Sequence, residues 1–250
     1  YKYKEVMEKN PRCSKIMGVQ FSILSAEEIR KQSVANITSR DTFINGKPVI
    51  GGLFDPRMGV LEPGFICPTD GHNYIDTPGY FGHIELAKPV YYIQYLTTIL
   101  KILRCVCVKC SKLLINKENA GSLLKMDGEK RWSHVFTLAS KVKRCGDLTG
   151  DGCGCKQPAK IRKEGLSTIF AEWENMDSSN EGGDNLSMKL TPEMVLKIFK
   201  RISDEDVNFM GFSSLFSRPD SMICQALAVP PPAVRPSVKH DAQQRSEDDL

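Results

Sequence analysis

Six of the nine cysteines of this chain lie between Cys105 and Cys155, and no other feature limits its fold so tightly. Cys107-Val-Lys-Cys110 has the spacing with which one tight loop presents two thiolates to a single ion. A second pair has to come from Cys145, Cys153 and Cys155, in the run Cys-Gly-Asp-Leu-Thr-Gly-Asp-Gly-Cys-Gly-Cys. Its glycines let backbone amides approach the sulfurs and accept positive φ. The first residues, Tyr1-Lys-Tyr-Lys-Glu5, show no apolar core of a secretion signal, so clustered cysteines favour metal over disulfides. The strongest set is Cys107, Cys110, Cys145 and Cys153. Cys105 and Cys155 remain open as substitutes, or as small apolar groups in a core. The alternative for the whole cluster is a set of reduced core cysteines.

Four thiolates close the coordination shell of zinc, so the expected site is structural and not catalytic. Lys109, Lys112, Lys143 and Arg144 are placed to offset the thiolate charge. The site would clamp a long helical excursion at its neck, and its binding free energy would be folding free energy for the segment between. Cys67-Pro-Thr-Asp70, with Asp76, His72 and His83 near in sequence, is a weaker candidate. One thiol with carboxylates is a poor zinc set, and a solvated turn is the preferred reading.

Composition excludes little. Apolar residues make up 41% and charged residues 26%, the net charge is +4 and the pI is about 8.5. That permits nucleic-acid contact without arguing for it. No apolar run approaches about 18 residues, so no membrane helix is expected. The chain starts without Met and stops at Arg245-Ser-Glu-Asp-Asp-Leu250 without a terminal element, as a piece of a longer chain would.

Local patterns predict an α+β fold, helix-rich and irregular with short strands. Residues 1–17 read as an N-terminal arm. Val19–Leu24 alternates and reads as a strand. Ser25-x-x-Glu28 is a capping box for a helix through about Gln32. Gly46-Lys-Pro and Gly51-Gly52 mark turns in a loop-rich stretch, 41–66. Pro89–Arg104, with Val90, Ile93, Leu96, Leu100 and Leu103, has helical spacing, as does Lys130–Lys143. Residues 174–187 form a polar loop. Thr191-Pro192-Glu193 opens the clearest helix, with Met194, Val195, Ile198, Phe199 and Ile202 on one face. Gly211–Pro219 is a compact turn. The proline run Val229–Pro236 is expected to be extended, and 239–250 to be polar and mobile.

A longer series of segments resembles one family. It comprises Gly18-Val-Gln-Phe-Ser-Ile-Leu-Ser25, Gly51-Gly-Leu-Phe-Asp-Pro-Arg-Met-Gly59, Gly79-Tyr-Phe-Gly-His-Ile-Glu-Leu-Ala-Lys-Pro89 and Cys105-Val-Cys107. It continues through Ser111-Lys-Leu-Leu114, Gln157-Pro158, Ile161-Arg-Lys-Glu-Gly165, Phe216-Ser-Arg-Pro219, Val229–Ser237 and Arg245–Leu250. In this order they resemble the N-terminal part of the largest subunit of eukaryotic-type DNA-directed RNA polymerase II.

The resemblance implies a clamp core over residues 18–95, a clamp head with a zinc site over 96–228, and a return to the core with the start of the lid loop over 229–250. It implies one structural zinc on Cys107, Cys110, Cys145 and Cys153. The family's second zinc site falls on Cys67, Asp70, Thr77 and Tyr80, three of them unsuitable, so that ion is expected to be absent. Packing of Tyr74, Tyr80 and Phe81 is the expected substitute. Such a loss suggests a divergent copy, from a large DNA virus or an unusual eukaryote. The family's catalytic magnesium sits on aspartates for which this sequence has no counterpart, so magnesium belongs to the complete subunit alone.

Implied partners are the other polymerase subunits, especially the second-largest, with template DNA and the RNA–DNA hybrid; no membrane is implied. The implied location is the nucleus, or a viral factory or virion. Lys and Arg cluster at 101–112, 125–143 and 156–163, and most such charges solvate a surface. Arg162, Lys163 and Arg235 are the expected phosphate contacts. Arg57 is expected to anchor a loop by pairing with a carboxylate, and His83 to be structural. The competing reading is a free-standing zinc-ribbon module that binds DNA or protein. A small hydrolase finds no support, because GxSxG, HExxH and phosphate-cradling loops are missing.

Overall fold

The computed structural model describes residues 15, 17–173, 186–239 and 245–246. Most of the expected arm, residues 174–185 of the expected polar loop, and most of the segment after Lys239 lie outside the described residues. Within them the chain is α+β, with small antiparallel sheets and short helices around two separate apolar cores.

The segments before Tyr91 and after Ile223 form a base. Residues 17–24 do not form the expected strand. Ile23 N–H bonds to the Phe216 carbonyl at 2.8 Å, but Met17, Val19 and Phe21 stay exposed. Alternation alone makes no strand without a ladder to join. Helix α1 (Ala26–Gln32) starts as expected: Ser25 Oγ accepts from Glu28 N–H at 3.2 Å, and Ser25 N–H donates to the Glu28 carboxylate at 2.8 Å. Strands β1 (Phe43–Ile44) and β2 (Lys47–Pro48) form a hairpin across Asn45-Gly46. Both turn residues have positive φ (51° and 73°), the conformation Asn-Gly adopts in two-residue hairpins.

Strand β3 (Gly82–Tyr91) pairs antiparallel with β7 (Ile223–Val229), from Gly82 against Val229 to Tyr91 against Ile223. The expected helix from Pro89 therefore begins later. The register shifts between Glu85 and Val90, and Pro89, which has no N–H for a ladder, sits in that irregular stretch. After a 3-10 turn at Ile93–Tyr95, α2 runs over Leu96–Cys105. A small core of Ala35, Ile37, Met58 and Val229 lies beside this strand pair. Gly79, at φ 82°, passes so close to the chain's return that a Cβ would stand 2.6 Å from Pro231 Cβ. The proline run is not extended. Beyond Val229 it turns, with Val234 N–H on the Pro231 carbonyl at 3.0 Å, because a φ near −65° suits a turn as well as an extended segment. Strand β8 (Val238–Lys239) then pairs with β9 (Arg245–Ser246), in a region expected to be mobile.

Between β3 and β7 lies the excursion with the larger core. Ile99, Ile102 and Leu103 of α2 pack with Val135 of α3 (Gly128–Ala139), Ile169, and Val195 and Phe199 of α4 (Pro192–Lys200). Helix α4 is capped as expected, with Thr191 Oγ accepting Met194 N–H at 3.3 Å. Its expected face is buried except for Met194, and Leu196 is buried as well. Helix α5 (Asp204–Met210) follows. A three-stranded antiparallel sheet, β4 (Lys160–Glu164), β5 (Thr168–Trp173) and β6 (Leu186–Leu190), completes this unit. Sequence patterns missed it, and Leu186 and Ser187, expected in a polar loop, are already strand.

Candidate metal centre

Helix α2 ends at Cys105 and the chain doubles back at once. Leu114 N–H bonds the Cys105 carbonyl (2.9 Å), Cys107 N–H the Lys112 carbonyl (2.9 Å), and Ser111 N–H the Cys107 carbonyl (2.8 Å). These bonds fold Cys107–Cys110 into a knuckle and hold Ser111 at φ 65°. The second half is a matching loop. Arg144 bridges Lys156, Cys145 N–H bonds the Cys155 carbonyl (2.9 Å), and Gly154 N–H bonds the Cys145 carbonyl (3.1 Å). Gly152 lies directly on the Cys145–Gly146 backbone, where a side chain would have no room.

The two loops bring the sulfurs of Cys107, Cys110, Cys145 and Cys153 within 4.8 Å of one another. Cys107 and Cys153 are 3.6 Å apart, as are Cys110 and Cys145. A tetrahedron of sulfurs at about 2.3 Å from zinc has edges of about 3.8 Å, so the donor set fits one such ion. Among the described residues it is the one group of three or more ligands gathered this way. Cys105 and Cys155 stand outside it. Cys105 is fully buried in the larger core, where burial pushes its thiol up to about 12. Cys155 turns its sulfur to the Lys156 carbonyl at 3.5 Å, and burial raises its thiol too.

Cys107 differs from Cys110 and Cys145. Burial would raise Cys107, but N–H donors from Cys110, Lys109 and the Gln157 side chain outweigh it and bring the thiol down to about 7. Burial pushes Cys145 up to about 12, helped by neighbouring sulfurs, and raises Cys110. Of the cations expected to offset thiolate charge, Lys112 is shared with Asp151 (2.8 Å) and Arg144 donates to the Gly154 carbonyl (3.1 Å). Gln157 was not singled out for this site by sequence reasoning. It is 6% exposed, and its Nε2 donates to Cys107 Sγ at 3.2 Å and to the Cys155 carbonyl at 2.9 Å.

The weaker candidate is a turn, as expected, exposed at Pro68, Thr69 and residues 71–76. Cys67, Asp70, Thr77 and Tyr80 do converge, but on the Asp70 carboxylate. It accepts His72 N–H (2.9 Å), Thr77 Oγ1 (2.8 Å) and Tyr80 OH (3.1 Å). Burial works against the charge, yet these donors and the Cys67 thiol hold Asp70 well below the usual carboxylate range. Tyr80 supports the loop through its hydroxyl, whereas Tyr74 and Phe81, expected to pack, are exposed. His83 lies elsewhere, on β3, with Nδ1 at 2.7 Å from Ser33 Oγ.

The family model for RNA polymerase Rpb1, domain 1, matches residues 13–250. The chain belongs to that family. It is the N-terminal region of the largest subunit of a DNA-directed RNA polymerase, a nucleotidyltransferase whose partners are other polymerase subunits, DNA and RNA. No helix among the described residues is long and apolar enough to cross a membrane.

In this Rpb1 domain the three expected phosphate contacts have unlike surroundings. Lys163 is exposed on β4. Arg162 is engaged by Glu172 (2.6 Å) and Glu164 (3.2 Å) and lies over the Phe170 ring, so its charge is largely answered already. Arg235 is enclosed by its own chain. It is 4% exposed, donates to the Pro230 carbonyl at 3.0 Å and to the Leu53 carbonyl, and sits 5.2 Å over Phe54. A guanidinium enclosed in this way pins a loop. That loop is organised by Asp55, fully buried, which accepts Gly51 N–H (2.6 Å) and pairs with Arg57 (2.6 Å), the anchoring role expected of Arg57.

Proposed function

We propose that this chain is the clamp of its polymerase: a core and a zinc-bearing head that close over template DNA and the RNA–DNA hybrid during transcription. The observation that carries the reading is the four-sulfur cluster within a large excursion whose two ends are the paired strands β3 and β7, in a chain of the Rpb1 family. A wall that opens and closes needs a stiff body on a narrow root, and the arrangement supplies both. Zinc is the resident ion by donor chemistry, since four thiolates suit it and leave no open position. When bound it contributes folding free energy to the head, of the order of 10 kcal/mol in small zinc modules. The core over 18–95, the head over 96–228 and the return over 229–250 follow the same reading, with the root at Tyr91 and Ile223.

Charge supports contact with the nucleic-acid backbone. Lys160 and Lys163 are exposed on one edge of the head sheet, and such contacts are sequence-independent and weaken with salt. The magnesium-binding aspartates belong to the rest of the subunit, so the clamp positions template and takes no part in bond making. The nucleus, or a viral factory, is the place such an enzyme works.

The test uses the assembled polymerase on a template with photoreactive phosphates. Crosslinked peptides mapping to 156–163 are expected, diminished in Lys163→Ala. Crosslinks confined to other subunits and absent from the head would sink the clamp reading.

A further inference from the structure

We propose that Gln157 is a positioning residue of the metal centre. Its side-chain amide keeps a hydrogen bond on the Cys107 sulfur in the metal-loaded protein and limits the negative charge that sulfur passes to the ion. The assignment rests on the zinc reading above.

Three observations carry it. Cys107 is fully buried, so water cannot supply the donors its thiolate needs. The Gln157 carboxamide is used at both ends: Nε2 donates to Cys107 Sγ and to the Cys155 carbonyl, and Oε1 accepts Val108 N–H at 3.3 Å. Its backbone N–H is tied to the Lys143 carbonyl at 2.8 Å, one residue past the Arg144–Lys156 bridge. One side chain thus spans both ligand loops. It touches the sulfur of the first pair from the segment that leaves the second. A neutral amide does this without a charge that would titrate or compete for metal. Hydrogen bonds to ligating atoms orient them and adjust their donor strength, and losing one such partner typically weakens metal binding about 10–100-fold.

The experiment uses the full chain loaded with cobalt(II). Gln157→Met keeps side-chain length and removes the donor. Expected are a shift of the sulfur-to-cobalt charge-transfer band to lower energy and zinc binding weaker by about tenfold against a chromophoric chelator. One equivalent should still bind. Trp173→Phe is the structural control: Trp173 Nε1 donates to the Lys156 carbonyl at 3.1 Å, next to Gln157 but off the sulfur, and its loss should leave the band in place. An unmoved band in Gln157→Met, or an equal shift in Trp173→Phe, overturns the proposal. If Gln157→Met does not fold, cadmium-113 NMR of the unsubstituted protein decides. A scalar coupling from the Gln157 amide proton to cadmium through sulfur is expected, and its absence rejects the role. An unsubstituted chain that takes up neither cobalt nor cadmium would overturn the zinc reading as well, which separates the two failures.

Discussion

Replacing Arg235 with Met distinguishes a pin from a phosphate contact. The guanidinium makes two charge-assisted hydrogen bonds to carbonyls, of Pro230 and Leu53, and lies on Phe54. Hydrogen bonds from a charged donor contribute about 1.5–3 kcal/mol each. A desolvated cation over a ring adds about 1–2 kcal/mol. Methionine recovers some packing and the freed carbonyls recruit water, so the net loss should be about 3–5 kcal/mol. The loss should concentrate in the base, where the segment Gly51–Met58 is held. Hydrogen exchange of the Gly51 and Arg57 amides, both bonded to Asp55, reads it directly: protection should fall by more than a hundredfold. The polymerase's DNA affinity should keep its salt dependence. A phosphate contact would behave in the opposite way, with stability within about 0.5 kcal/mol of the parent and a salt slope shallower by about one. That result would refute the pinning argument.

The other expectations concern the four-cysteine cluster and the Asp70 loop. Cys107→Ser should lower bound zinc from one equivalent toward none and melt the 107–155 region, while Cys155→Ser should leave one equivalent in place; elemental analysis with hydrogen exchange checks both. Asp70→Asn should loosen the 67–80 loop at neutral pH, seen as faster exchange of the His72 amide, without changing metal content. In the parent, Asp70's depressed value means its contribution is fully present above the ordinary carboxylate range and is lost only as pH falls through the lower folded value. The loop should therefore stay protected at pH 4. Cys110 and Cys145 are both held above the ordinary thiol value, so binding at neutral pH releases at least two protons. Apparent zinc affinity should fall about a hundredfold for each unit of acidification, measurable by chelator competition.

What the sequence made legible was short in range. The Cys-x-x-Cys knuckle, the Ser25 capping box and the Thr191-Pro192 start of α4 each depend on residues a few positions apart, and the structure has all three. Pro89 misled because apolar spacing cannot tell a strand with an irregular stretch from a helix, and the partner that decides, β7, lies far along the chain. The hairpin of β4 and β5 was overlooked although Thr168-Ile-Phe-Ala-Glu-Trp173 is β-prone and Gly165 turns at φ 62°. The Asn45-Gly46 hairpin had a readable signal of its own. Gln157 and Arg235 had none, since the contacts that define their roles, to Cys107 and to Leu53, span 50 and 182 residues. The Cys67 loop shows the same limit: its residue types argued against metal, yet only the fold could reveal that the Asp70 carboxylate gathers Cys67, Thr77 and Tyr80.

The strand pair at the root also bears on the order in which the chain folds. Pairing Tyr91 with Ile223 closes roughly 130 residues, an entropic cost of roughly 4 kcal/mol for a disordered loop. Once the excursion has condensed around its ion, its two ends are already neighbours and most of that cost disappears. On the clamp reading the head would then act as a splint for the base, so a shortage of zinc during synthesis should slow the closure of β3 on β7.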